Sequence, residues 1–324
     1  MKYFIAGGAG FIGSHITRLL LAQGNEVTVY DNFTSGEDWH LETVINNPVL
    51  KIERKDIKDI DSLTVAMAGH DIVYHFASNP DIAKAVTQPD IDFWEGTYLT
   101  NNVLEAMRRS GTTKLIYASG SGVYGEVTET AIREDYPNMR PISTYGASKL
   151  ACEALICSYS FMFGIDAAAF RFANVVGPNQ THGVGYDFVL RLLQDSSELR
   201  ILGDGTQNKS YIYIDDVISA MRLVETKHLK GFDLYNIATL DSITVTEIAN
   251  IAAGALGLTN VTYNYSGGKR GWKGDVPIIR MDSSKIRALG WNNSYTTQEA
   301  IKRSIDSIYY EAKTGRYADW GKQL

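Results

Sequence analysis

The sequence predicts an α/β fold built on a doubly wound parallel sheet, with a smaller, discontinuous second domain toward the C-terminus. Three observations carry that expectation. Short apolar strands alternate with amphipathic helices through the first half of the chain. A glycine-rich loop, "GGAGFIG", joins the first strand to the first helix. The second strand leads into an acidic residue, Asp31.

Taken in order, Tyr3–Ala6 reads as a strand. Ile12–Gln23 reads as a helix with Ile12, Ile16, Leu19 and Leu20 as its apolar positions. Glu26–Tyr30 and Val49–Glu53 follow as strands, and Ile60–Ala68 as a helix capped by Asp59. Ile72–Phe76 is a strand, Leu99–Arg109 a helix, Lys114–Ala118 a strand, Tyr145–Phe163 a long helix and Ala167–Phe172 a strand. This alternation implies a sheet covered on both faces, with right-handed crossovers. Beyond Gly177 the rhythm loosens into Gly/Asn-rich pieces and shorter helices, Asp187–Leu193, Thr246–Ala255 and Gln298–Glu311. Residues 1–176 are expected to form the first domain, and 177–207 with 227–324 the second. The stretch 208–226, which holds the strand-then-helix "KSYIYIDDVISAM", is expected to return to the first.

Composition narrows the function. The 324 residues, 44% hydrophobic and 21% charged, suffice for one large core or two smaller ones. The net charge is −6 and there is no Lys/Arg run, so the footprint of a nucleic-acid binder is missing. The two cysteines, Cys152 and Cys157, share one predicted helix; no disulfide framework and no metal site are expected, and a reducing compartment fits. No apolar run approaches roughly 18 residues, and the N-terminus lacks a charged segment followed by a long apolar one. The expectation is a cytoplasmic protein with no membrane partner.

"FIAGGAGFIGSH" places Gly7, Gly10 and Gly13 at G-x-x-G-x-x-G spacing between strand and helix. Glycines there permit the tight turn, backbone approach to a pyrophosphate and close packing of helix on strand, while the helix N-terminus attracts the phosphates. Asp31 follows about 20 residues on; a carboxylate there accepts hydrogen bonds from the adenosine ribose and repels a 2′-phosphate. The pattern points to NAD rather than NADP, on a Rossmann-like domain. Asp56, after a strand in "ERKDI", reads as a surface Asp or as a contact to the adenine.

"TYGASKLACEAL" sets Tyr145 and Lys149 four apart near a helix start, on one face. An ammonium beside a phenol favours the phenolate. Moving a phenol from about 10 to about 7 takes roughly 4 kcal/mol, shared between Lys149 and a cationic nicotinamide. A phenolate so tuned is a general base for a sugar or alcohol hydroxyl, and hydride leaves the same carbon for NAD.

With these motifs the chain resembles the extended short-chain dehydrogenase/reductase superfamily, in particular the NAD-dependent nucleotide-sugar epimerases and dehydratases, and most of all the UDP-glucose (galactose) 4-epimerases. The matching blocks include "YDNFTSG", "DIVYHFAS", "YASGSGVYGE", "YGASK", "RFANVVGP", "GDGTQNKSYIYIDDV" and "GDVPIIRMDSSKIRALGW", spread nearly end to end. The resemblance implies an NAD that stays bound through the cycle, a nucleoside-diphosphate sugar of the UDP-hexose type as substrate, and a homodimer built on two helices per subunit, one of them Tyr145–Phe163. It places Gly7, Gly10, Phe11, Ile12, Asp31, Asn32, Gly36, Asp56, Ile57, Phe76, Ala77, Ser119, Tyr145 and Lys149 at the cofactor. It places Ser78, Ser121, Tyr145, Asn174, Lys209 and Arg270 at the substrate, the last three at its diphosphate. Lys209 stands where the family carries Arg; it keeps the charge and loses the planar fork. Ile279 falls where relatives gate the sugar pocket.

The same resemblance separates the chemistries. Dehydratases of this kind put Asp and Glu three and two residues before the Tyr of V-Y-G, and decarboxylases tend to put Glu at the second; here those positions are Ser121 and Gly122. Reductase-epimerases use NADPH with Cys and His bases near this turn; "SGSGVYG" has neither. Epimerisation at one carbon remains: Tyr145 takes the O4 proton, the C4 hydride goes to NAD, the 4-keto sugar turns, and hydride returns to the opposite face. A dehydratase- or decarboxylase-like activity and a catalytically silent NAD-binding sensor stand as alternatives. The hydroxyl that assists the Tyr in the family sits four before the Tyr of V-Y-G, which here is Gly120. Three substitutes are open: Ser121 rotating in, a water, or Tyr145 acting alone.

Overall fold

The computed structural model describes residues 1–127 and 131–317. β1 (Lys2–Ala6) leads into α1 (Phe11–Ala22), β2 (Glu26–Asp31), β3 (Leu50–Arg54), α2 (Ile60–Met67), β4 (Ile72–His75), α3 (Leu99–Ser110), β5 (Lys114–Gly120), α4 (Thr144–Phe163) and β6 (Asp166–Phe172). After these come β7 (Asn174–Val176), α5 (Val184–Gln194), β8 (Glu198–Ile201), β9 (Asn208–Lys209), β10 (Tyr211–Tyr213) and α6 (Ile214–Lys227). The chain continues with β11 (Phe232–Ile237), β12 (Ile243–Thr244), α7 (Val245–Ala255), β13 (Thr262–Tyr265), α8 (Ser284–Ala288) and α9 (Thr297–Lys313).

Seven strands form one sheet in the order β11-β6-β5-β4-β1-β2-β3. The chain runs outward from β1 to β2 and β3, then crosses back to β4, β5 and β6 on the other side. The doubly wound parallel sheet expected from the alternation is present. Ala6 lies opposite both Tyr30 and His75 in the parallel ladders, so the residues after β1, β2 and β4 emerge together at one end. That end, where the strand order reverses, is the place such sheets bind ligands.

Tyr3, Phe4, Ile5 and Ala6 of β1 are all buried, as an uninterrupted apolar run in a central parallel strand should be. Phe4, Val73, Leu115 and Ala167 of the sheet pack with Val103 and Met107 of α3 and with Cys152 and Ile156 of α4 in one core cluster. Each large side chain buried this way contributes about 1.5–3 kcal/mol. Asp59 caps α2 as expected, accepting from the Ser62 amide at 3.1 Å. Ser143 does the same for α4, accepting from the Gly146 amide at 3.1 Å. Helix α3 was expected to begin at Leu99; a π-helical segment, Phe93–Tyr98, precedes it. Within that segment a side chain at Gly96 would collide with the Ser148 hydroxyl on α4, so glycine allows the close approach.

The chain divides into two compact units. Unit 1 comprises Met1–Gly125, Glu134–Phe172 and Ile218–Asn236. Unit 2 comprises the described residues of 126–133, 173–217 and 237–317. These bounds differ from the expected ones. The returning segment is Ile218–Asn236 rather than 208–226, because β10 pairs with β7 and β9 with β12, which keeps 208–217 in unit 2. What returns is the later part of α6 and the edge strand β11, whose first three residues are only half-buried and gave no clear apolar signal.

Candidate active site

The glycine loop is built around close backbone approaches. Gly7 has φ +83°, and a Cβ there would stand 2.5 Å from the Ala77 amide nitrogen. A Cβ on Gly13 would overlap the Gly7 carbonyl, and one on Gly8 would stand 2.8 Å from Val29. Gly10 meets only the Gly7 carbonyl, at 3.4 Å, and is otherwise open. Phe76 and Ala77, which follow β4, therefore lie directly on the loop. Gly36 abuts it from the other side, where a Cβ would stand 2.8 Å from that of Ala9.

Asp31 closes this cradle. Its carboxylate accepts the amide protons of Ala9 at 2.9 Å and Phe33 at 2.8 Å. Burial raises its pKa, and the two amide hydrogen bonds oppose that shift. Asn32 donates to the Asp56 carboxylate at 3.1 Å, and Asn102 holds the Ile57 carbonyl at 3.2 Å. Thus Gly7, Gly10, Asp31, Asn32, Gly36, Asp56, Phe76 and Ala77 are contiguous, with Phe11 and Ile12 opening α1 beside them. Ser78 is half-buried just beyond β4. A loop in which Gly7, Gly8 and Gly13 leave no room for a side chain, at a helix N-terminus beside a fixed carboxylate, fits a dinucleotide.

Tyr145 and Lys149 lie in the first two turns of α4. Lys149 is buried, donates to the Ala118 carbonyl at 2.7 Å and lies 5.5 Å from the centre of the Tyr145 ring. Burial lowers its pKa to about 8. Burial also pushes the Tyr145 phenol well above its ordinary value, with further raising from the negative charge of Asp92. Asp92 is a site residue the sequence did not reveal. It is itself buried, accepting from Asn79 at 2.9 Å and Thr144 at 2.7 Å. Fully buried His75 sends Nε2 to Thr100, and burial and the Lys149 charge depress its pKa to about 3, so it is neutral near pH 7.

The turn after β5 runs along α4. Gly120 is extended, with φ −159°, and Ser121–Tyr124 form a 3-10 turn. Gly122 packs on Gly146, where a Cβ at 122 would stand 3.4 Å from the Gly146 Cα. Ser121 opens that turn and is half-buried. Ser119, expected at the cofactor, turns its hydroxyl toward α4. It is buried, and its hydroxyl donates to Glu153 at 2.5 Å, because successive residues at the strand end point to opposite sides.

Unit 2 carries the remaining candidates. The Asn174 side chain donates to the Ser210 carbonyl at 3.2 Å. Lys209 pairs with the Asp275 carboxylate at 2.5 Å. Arg270 donates to the Asp275 carbonyl and pairs with Glu126, each at 2.5 Å. Lys209 and Arg270 thus meet around Asp275. Both cations expected at a diphosphate are engaged with oxygen acceptors of this chain. Ile279 is buried. Among the described residues there is no cluster of three or more His, Cys, Asp or Glu that could hold a metal, and no helix is long and apolar enough to cross a membrane.

Fold and cradle define a dinucleotide-binding α/β protein with a Tyr–Lys pair beside the cofactor end of its sheet. Residues 3–238 match the sequence model of the NAD dependent epimerase/dehydratase family, and the chain belongs to that family. It is 29% identical over 314 residues to the UDP-glucose 4-epimerase of Mycolicibacterium smegmatis, covering 94% of this chain and 98% of that protein. A crystal structure of a UDP-galactose 4-epimerase is 35% identical, covering 96% of this chain and 99% of its own, with a TM-score of 0.84. A dTDP-glucose 4,6-dehydratase from Streptomyces venezuelae, solved with NAD bound, is 26% identical over the full length of both chains, with a TM-score of 0.89. NAD is the cofactor of the family, and the cradle described above fits it. Relatives thus include both epimerases and a dehydratase.

Proposed function

We propose that the protein is a nucleotide-sugar 4-epimerase of the UDP-glucose/UDP-galactose type. One observation carries the choice within the family: the turn beside Tyr145 is Gly120, Ser121, Gly122, Val123, Tyr124, with no carboxyl side chain on it. Dehydration requires an acid for the leaving hydroxyl and a base for the neighbouring carbon, and this turn offers neither. Epimerisation at C4 requires one base that takes and returns the O4 proton.

NAD, when bound, supplies the hydride acceptor and donor. The chain's own part is to hold the cofactor through Gly7, Gly10, Asp31, Asn32 and Asp56, and to move the O4 proton at the Tyr145 hydroxyl. Lys149 supplies the positive charge that favours the Tyr145 phenolate. Before the cofactor binds, burial keeps that phenol protonated. Asn174, Lys209 and Arg270 bind the diphosphate once the cations exchange their carboxylate partners for phosphate oxygens. Ser78 and Ser121 contact the sugar.

The reading extends to a cytoplasmic homodimer. Ala147, Ala154 and Phe161 form an exposed stripe along α4 at seven-residue spacing, which supports that helix as a subunit contact. The test is incubation of the NAD-loaded protein with UDP-galactose. Formation of UDP-glucose supports the reading. No turnover across a panel of nucleotide sugars, with tight NAD binding kept, favours an NAD-binding sensor instead.

A further inference from the structure

A second set of buried groups lies one turn further along α4. Tyr145, Lys149 and Glu153 recur at four-residue spacing, so all three project from one side of the helix. Glu153 meets Arg171 of β6, which is completely buried and follows the apolar run Ala167–Phe170. The pair is two-pronged: Arg171 Nε donates to Glu153 Oε1 at 3.0 Å and Nη2 to Oε2 at 2.7 Å.

The groups around this pair belong to the turn beside Tyr145. Ser119, in β5 just before the turn, donates to Glu153 Oε1 at 2.5 Å. Tyr124, at its end, accepts from Arg171 Nη1 at 2.8 Å and donates to Asn236 at 2.7 Å. Arg171 Nη1 also reaches the Glu134 carbonyl at 3.0 Å. Both ends of the turn are therefore tied to one ion pair. Between the two ties lie Gly120, facing the Tyr145 ring, and Gly122, packed on Gly146.

Burying an ion pair costs enough desolvation that a matched apolar pair is often equally stable. Stability alone does not account for this one. Glycine-rich backbone such as Gly120–Gly122 has little stiffness of its own, and proton transfer is sensitive to misplacement of about 1 Å.

We propose that Glu153 and Arg171 are positioning residues: acting through Ser119 and Tyr124, they hold the Gly120–Gly122 backbone at a fixed distance from the Tyr145 hydroxyl. Neither touches the substrate. The proposal rests on the reading of Tyr145 as the base.

The experiment compares the full-length, NAD-loaded parent with Glu153→Leu/Arg171→Met, Ser119→Ala and Tyr124→Phe. It reads kcat and KM for UDP-galactose, thermal unfolding, and amide hydrogen exchange of a peptide spanning residues 116–124. In the Leu/Met variant kcat falls tenfold or more, KM stays within threefold, and exchange in the turn speeds up tenfold or more at near-parental Tm. Ser119→Ala and Tyr124→Phe each lower kcat about threefold or more, and neither lowers it further in the Leu/Met background. Should the Leu/Met variant not fold, the two hydroxyl deletions decide the matter. Parental kcat and parental turn exchange in the folded variants would overturn the proposal. Absence of epimerisation in the parent itself sinks the reading of Tyr145, and the exchange measurement then decides the positioning claim alone.

Discussion

A Cβ placed on Gly120 would stand 4.0 Å from Cε1 of Tyr145 and within 4 Å of nothing else outside its chain neighbours. The backbone at Gly120 is extended, so glycine is not required there by conformation or by crowding. The chain thus carries no side chain at a position that faces the edge of its proposed base, and there is room for a Cβ.

Substitution at Gly120 tells the three possible helpers apart. If Tyr145 acts alone, Gly120→Ser raises kcat about tenfold and Gly120→Ala leaves it unchanged. If a water assists, Gly120→Ala lowers kcat and Gly120→Ser restores it. If Ser121 assists, Ser121→Ala cuts kcat about 10²-fold and Gly120→Ser rescues that variant. Steady-state kinetics on the parent and the four variants distinguishes these outcomes.

Asp31 is expected to set the cofactor preference. Asp31→Ser removes the acceptor for the ribose hydroxyls and the charge that repels a 2′-phosphate. Fluorescence titration is expected to show NAD affinity reduced tenfold or more and the gap between NAD and NADP narrowed by at least as much. Unchanged discrimination would place cofactor choice elsewhere.

Lys149 carries a burial cost. Its pKa is about 8 in the folded protein against 10.5 ordinarily, because burial disfavours the ammonium. Below pH 8 both folded and unfolded chains carry the proton, and the folded state bears the full burial penalty. Between about pH 8 and 10.5 only the unfolded chain keeps it, so this group's contribution to stability improves as pH rises. Lys149→Met should therefore be more stable than the parent at pH 7, by up to about 3 kcal/mol less about 1 kcal/mol for the lost bond to Ala118. The advantage should fade toward pH 10.5. Turnover should fall roughly 10³-fold. Urea unfolding of the NAD-free proteins at pH 7 and 10 checks the first part.

Lys209 should matter to the nucleotide and not to the cofactor. Lys209→Ala is expected to weaken UDP binding about tenfold by calorimetry, with NAD affinity unchanged. Because Lys209 is already paired with Asp275, Asp275→Asn should strengthen UDP binding at low salt by releasing the charge, and the gain should shrink as salt is added.

The sequence carried the cofactor cradle because its parts are local. Gly7, Gly10 and Gly13 lie within one loop, and Asp31 ends the next strand. Tyr145 and Lys149 are legible for the same reason, since four residues on a helix define a face. The residues that were missed are joined only by the fold. Arg171 reaches Glu153 across 18 residues and Tyr124 across 47, and Lys209 meets Asp275 across 66. A charge inside the apolar strand "AAAFRF" was the available signal for Arg171, and it named no partner. The Ser119–Glu153 bond was not legible either, because it joins a strand end to a helix 34 residues on. Asp92 lies just before the π-helical segment and meets Thr144 across 52 residues, which periodicity does not reveal.

In the proposed reaction one carbon is oxidised and reduced again with its own hydrogen. The most direct measurement is NMR of the product formed from UDP-galactose carrying deuterium at C4, in ordinary water, with the protein as purified and NAD present. The account predicts UDP-glucose that keeps deuterium at C4 and keeps its 6-hydroxyl. A 4-keto-6-deoxy product, or UDP-glucose with solvent hydrogen at C4, would contradict it.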